Sequence, residues 1–269
     1  MKCKKKQIYI KRSLLQFFYI VLCAGIFVTI QYVYVHGAVL GYQTLFKNAA
    51  RGNILCQLYF GGLFLENSMD SFVLMCSFGA FLIEVLLLNG KVIGEWFQNL
   101  ELMLYRTEHR SSLLCNLIRQ VSFRNMGLIF CSMCLIEGII SEPEWIYGLF
   151  IHFLLLEMFA LCIILGYLFF HNELVYMIVG MVYYVPAVLL GFWYEKGNEL
   201  WKTGRYFLML RGNWNYYVPI STAGNEEITL NHMEIFTNVN KWENILLIVM
   251  LMLLLYFACE RALKFFETI

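Results

Sequence analysis

The chain has 269 residues, of which 60% are hydrophobic and only 14% charged, with a net charge of +1 and a mean hydropathy of +0.64. Soluble domains carry about a quarter charged residues, so the composition excludes an ordinary water-soluble globule and predicts an integral membrane protein. The near-neutral balance also argues against nucleic acid as a partner, because domains that bind DNA or RNA carry a strong basic excess.

The amino-terminal stretch MKCKKKQIYIKRSLLQFFYIVLCAGIFVTI joins a basic front to a long apolar body. The apolar run is too long for a cleaved secretory signal and no A-x-A-like site follows it. Leu22 stands before Cys23, where a lipoprotein signal needs a small residue. The segment therefore reads as a retained first span over 17–37. Five more stretches are apolar enough over about 20 residues to cross a bilayer: 71–89, 122–140, 147–169, 173–194 and 244–261. The expected fold is all-α and integral to the membrane, a single domain of six transmembrane helices.

Lys and Arg near span ends favour the cytoplasm. With the amino terminus inside, Lys2, Lys4, Lys5, Lys6, Lys11, Arg12, Lys91, Arg106, Arg110, Arg119, Arg124, Arg261 and Lys264 lie inside, thirteen of the twenty basic residues. Both termini are then cytoplasmic, segment 91–119 is inside, and segments 38–70 and 195–243 are outside. Arg124 and Glu137 shorten the apolar centre of the third span, and Arg124 is expected to snorkel to the interface. SEPEWIY and HNE are short links, so the third, fourth and fifth spans are expected to pack as antiparallel neighbours.

Within the first outer segment, NILCQLYFGGLFL is apolar but too short to span, which predicts an interfacial or re-entrant piece. In 91–119, Ile93, Trp96, Phe97, Leu100 and Leu104 recur at intervals of three and four, with Glu95, Glu101 and Glu108 on the other side. That period describes an amphipathic helix, expected to lie on the inner leaflet or to dock onto a soluble subunit. The aromatics of the second outer segment, among them Trp201, Tyr206 and Trp214, suit a headgroup region.

Glu84, Glu137 and Glu157 fall in or near spans, where a carboxylate is a functional candidate by default. Glu157 is the nearest to mid-membrane, while Glu84 is placed to reach the interface or to pair with a base such as Lys91. His152 and His171 read as interface residues. Pro186, in YYVPAVLLG with Gly180 and Gly191 nearby, is expected to kink the fifth span and to act as a hinge. The nine cysteines are scattered and imply no disulfide framework. Cys131 and Cys134 form a C-x-x-C without the second ligand pair that zinc needs; no metal site is expected.

The order of parts resembles the membrane subunit of bacterial type-2 ABC exporters. LENSMDSFVLMCSFGAFLIEVLLLNGKV followed by LYRTEHRSSLLCNLIRQV is similar to the second span and Arg-x-x-x-Arg coupling segment of small permeases of bacteriocin or lantibiotic self-protection and peptide export. Arg106 and Arg110 stand at that motif's positions; Leu113 and Leu114 stand where the motif often carries an aromatic. The resemblance implies a multi-pass protein of the bacterial cell membrane, a second permease copy or a related permease, and a cytoplasmic ATPase. It implies that Glu101, Tyr105, Arg106, Glu108 and Arg110 form the ATPase-docking surface, and that the 195–243 segment with Trp201, Tyr206 and Trp214 forms an outer gate. The chain contains no G-x-x-x-x-G-K-[ST] phosphate loop, so ATP and Mg2+ would sit on the partner and the chain itself is not expected to be an enzyme. A membrane enzyme would need paired catalytic groups at membrane depth, and Glu226 and Glu227 lie in the outer segment without a basic partner. A membrane receptor or immunity protein that binds an extracellular peptide without transport fits the same sequence; only an ATPase partner separates it from a transporter.

Overall fold

The structure, a computed structural model, describes residues 14–30, 82–106, 110–135, 144–172, 174–197, 199–200, 220–221, 227–228 and 241–265. They are almost entirely helical: α1 (Leu14–Ile30), a π-helical segment (Leu82–Gly90) that continues into α2 (Lys91–Gln98), then α3 (Leu100–Arg106), α4 (Arg110–Leu135), α5 (Glu144–Phe170), α6 (Val175–Glu195) and α7 (Lys241–Phe265). Two short strands, β1 (Ile220–Ser221) and β2 (Glu227–Ile228), pair antiparallel with Ile220 opposite Ile228. Among the described residues two helices are long and apolar enough to cross a membrane, over Phe150–Phe170 and Trp242–Phe265.

α5 is the axis of the bundle. It packs on α4, α6, α7 and the π-helical segment, and its residues from Leu154 to Leu161 are all buried. An apolar helix buried on every side belongs to the centre of a large core or of a membrane bundle. α1 buries one stripe, Ile20, Cys23, Ala24 and Phe27, at helical spacing, while Leu15, Phe17, Phe18 and Leu22 face outward. Those outward faces are as apolar as the inward ones, as expected of helices whose solvent is lipid.

The pairing of residues fixes the direction of each element. Glu84 meets His152 and Phe97 stacks on Tyr167 with ring centroids 4.8 Å apart, so the 82–98 helix runs parallel to α5. Phe27 lies by His152 and Tyr19 by Leu87, which makes α1 antiparallel to both. Ile248 packs with Ile151 and Leu154, and Cys259 Sγ donates to the Leu161 carbonyl at 3.6 Å, so α7 is parallel to α5. Along α4, Cys115 lies 3.7 Å from Tyr256 of α7 while Asn125 reaches Glu157, which sets α4 against α5 and α7.

α5 and α6 form a tight hairpin. His171 adopts a left-handed conformation (φ 50°) that ends α5, a position that favours Gly and costs other residues about 1 kcal/mol. Asn172 then caps α6, its Oδ1 accepting from the Leu174 N–H at 3.0 Å. A Cβ on Gly166 would lie 2.5 Å from Val175 Cγ1, so the two helices approach this closely only because residue 166 lacks a side chain.

Two expectations change. The 91–119 segment is not one leaflet helix: α2 ends at Gln98, α3 spans Leu100–Arg106, and α4 runs without interruption from Arg110 to Leu135, well into the expected third span. The apolar face of α2 does not lie on the leaflet. Ile93, Trp96 and Leu100 are buried in the bundle, with relative exposures of 0%, 7% and 1%, while Lys91 and Glu95 are exposed and pair at 3.9 Å. Periodicity gives a greasy face but not its partner, and protein interior and lipid select the same residues. The exposed residues of α4 change from Ser112, Asn116, Arg119 and Gln120 in its first half to Phe123, Met126 and Phe130 in its second. α6 is assigned as helix over Val175–Glu195, the stretch that contains Pro186.

Candidate functional site

The π-helical segment LIEVLLLNG is the unusual element. A π-helix replaces the i→i−4 ladder by wider i→i−5 bonds; it is rare, occurs mostly as single turns, and is frequent at functional sites. Non-helical or distorted backbone inside an apolar bundle persists only where neighbours satisfy its polar groups. Three helices do so here. The Tyr19 hydroxyl of α1 donates to the Leu87 carbonyl, Arg124 Nη1 of α4 donates to the Leu88 carbonyl at 2.7 Å, and the Tyr176 hydroxyl of α6 donates to the Gly90 carbonyl at 3.2 Å. The Arg124 guanidinium also stands 6.0 Å from the centroid of the Tyr19 ring, a cation–π distance. Arg124 is half-buried, and its guanidinium is committed to the backbone of a neighbouring helix.

Two carboxyl groups lie against this segment. Glu84, 6% exposed, accepts from His152 Nε2 of α5 at 2.5 Å. This is the partner that the sequence left open, and it is not Lys91, which pairs with Glu95. His152 is correspondingly a part-buried residue of the bundle, hydrogen-bonded to Glu84 of the π-helical segment. Glu157, 4% exposed and the central residue of the 27-residue α5, accepts from Ser122 Oγ at 2.8 Å and from Asn125 Nδ2 at 2.9 Å. Ser122 and Asn125 are three apart on α4 and so share a face. Asn125 Oδ1 in turn accepts from Asn89 Nδ2 at 2.7 Å, and the same amide also reaches the Glu84 carbonyl at 3.4 Å. A hydrogen-bonded chain Asn89–Asn125–Glu157–Ser122 thus ties the π-helical segment, α4 and α5 together.

Glu84 and Glu157 are thereby drawn into neighbouring parts of one polar interior. Asn89, Ser122 and Asn125 belong to the same interior and were not singled out from the sequence. The readable signal was their position: uncharged polar residues in or beside apolar runs, with Ser122 and Asn125 at helical spacing.

The other predicted residues are distributed differently. Glu101, Tyr105 and Arg106 lie in α3 and Arg110 opens α4; Glu108 falls outside the described residues, as do Trp201, Tyr206 and Trp214. Among the described residues no cluster of three or more His, Cys, Asp or Glu could hold a metal ion, and Cys23, Cys115, Cys131, Cys134, Cys162 and Cys259 are free thiols.

Comparison of the chain with protein-family models, with curated proteins and with solved structures gives no match.

Proposed function

We propose that the chain is the permease subunit of an ATP-driven exporter of the bacterial cell membrane, with six spans and both termini cytoplasmic. It would export, or remove from the membrane, a peptide-like or amphipathic substrate, with ATP hydrolysed by a separate subunit. The observation that carries this reading is the direction of the helices: α1, the 82–98 helix, α4, α5, α6 and α7 alternate in direction through one shared core. Six elements alternating in this way place residues 106 and 110, the end of α5 and the end of α7 on a common side, where Arg106, Arg110, Arg261 and Lys264 meet the preference of basic residues for the cytoplasm. The change along α4 from exposed polar to exposed apolar side chains agrees with a span that begins near residue 122.

In this mechanism α3 and the start of α4 meet the ATPase. Burial of the apolar face of α2 makes them the end of a rigid lever rooted in the bundle, so that motion of the ATPase is passed directly to the π-helical segment. Charges at such a surface set orientation and partner choice more than affinity.

The test is co-purification from the native host with a carboxyl-terminal tag, for the wild type and for Arg106→Glu combined with Arg110→Glu. The expected result is a soluble ATPase in equal amount with the wild type, and its loss from a variant that still purifies folded. A wild-type protein that emerges alone, or with only an extracellular peptide, overturns the permease reading in favour of a receptor or immunity protein.

A further inference from the structure

Glu157 poses an electrostatic problem that its neighbours leave unsolved. It lies at the middle of α5, 4% exposed, and the hydrogen bonds to its oxygens come from Ser122 and Asn125, both neutral. Arg124, adjacent to Asn125, is turned to the Leu88 carbonyl and the Tyr19 ring. His152 is engaged by Glu84, Tyr176 by the Gly90 carbonyl, and Cys259 of α7 by the Leu161 carbonyl. Among the described residues no ion pair compensates Glu157, and an isolated carboxylate in an apolar interior is prohibitively costly.

A second observation is independent of that charge. Asn89 is 2% exposed, and its Oδ1 has no hydrogen-bond partner among the described residues, although its Nδ2 donates into the same chain. A buried acceptor left without a donor is costly and calls for an explanation. The uncompensated carboxylate and the orphan amide oxygen belong to the two end residues of one hydrogen-bonded chain through Asn125, and positive charge in this chain answers the need of either.

We infer that Asn89, Ser122, Asn125 and Glu157 form a binding site for one monovalent cation, H+ or Na+. The donors are all oxygens, which suits a hard cation and not a transition metal. One carboxylate balances one charge, whereas a divalent ion would leave net positive charge in the bundle. In membrane transporters, coupling-ion sites lie where an irregular helix meets intact ones, and here the π-helical segment supplies Asn89 while α4 and α5 supply the rest. Proton and sodium share the same chemistry, positive charge on a carboxylate oxygen, and experiment separates them. The inference does not depend on an ATPase partner.

The experiment is thermal unfolding of the purified full chain in detergent, followed by tryptophan fluorescence, with choline chloride replaced by NaCl at constant ionic strength. It is run at about pH 6 and about pH 8.5, which bracket the neutral range, on wild type, Glu157→Gln and Glu157→Asp. An ion that binds only the folded protein raises the midpoint with the logarithm of its concentration, on the order of 5 °C at a hundredfold excess over Kd. A wild-type rise with Na+ that Glu157→Gln abolishes assigns sodium. A wild-type rise on acidification alone, again lost in Glu157→Gln and accompanied by a carboxylic-acid infrared band missing from that variant, assigns the proton. The Glu84–His152 pair is present in both proteins and does not distinguish them. Wild-type and Glu157→Gln profiles that coincide in both salt and pH overturn the site. Should Glu157→Gln fail to fold, Glu157→Asp and Asn89→Ala take its place: a tenfold or larger change in the Na+ or H+ concentration required supports the site, and no change overturns it.

Discussion

Among the described residues α5 and α7 are the helices long and apolar enough to cross a membrane, and by composition they are near equivalents. In the bundle they are opposites: 67% of the apolar window of α5 is buried against 11% of that of α7. The difference follows from where each keeps its polar atoms. α5 carries Glu157 and His152 at positions that only neighbouring helices can satisfy, so it must be surrounded. α7 keeps Trp242, Leu246, Met250, Leu253, Leu254 and Phe257 outward and turns only a stripe with Asn244, Ile248, Cys259 and Leu263 inward. Hydropathy identifies a helix that tolerates lipid; the polar residues on it decide whether lipid is what it touches.

Four substitutions would break or sharpen that contrast. The largest effect is expected for Leu156→Ala on α5, where a side chain 3% exposed leaves a cavity; deletion of a buried leucine costs about 2–5 kcal/mol, read as a lowered midpoint in detergent unfolding. Next comes Asn125→Leu, which strips one donor from Glu157 and the acceptor from Asn89. A loss of about 2 kcal/mol is expected from two stranded polar groups, with Ser122→Ala costing about half as much. The smallest belongs to Leu254→Ala on α7, 64% exposed, where a change within about 0.5 kcal/mol is expected. A Leu254→Ala variant as damaged as Leu156→Ala would mean that α7 is covered by another helix and that the contrast is false.

Much of the helical layout was legible in the sequence, because runs of about 20 apolar residues leave few alternatives. Helices α5, α6 and α7 lie where those runs fall, and the HNE link does bring α5 and α6 together as a hairpin. The direction in which Ile93, Trp96 and Leu100 face was not legible, since a stripe meant for protein and a stripe meant for lipid have the same spelling. The continuity of α4 was hidden by Asn116 and Arg119, whose polarity looked like part of a separate segment but lies on the exposed face of one helix. Charge drew attention to Glu84 and Glu157, and both proved buried and bonded. Asn89, Ser122 and Asn125 complete the same interior without any charge to announce them, and the π-helical turn has no compositional signature at all.

The backbone carbonyls of Leu87, Leu88 and Gly90 are held by side chains from three different helices. For the π turn to migrate along its helix, α1, α4 and α6 would each have to release their hold within the same event, because sliding the register by one residue re-addresses all of those carbonyls together. Such an arrangement behaves as a triple latch: it resists small displacements, and when it yields it does so in one discrete step that turns Glu84 and Asn89 to new bearings at once.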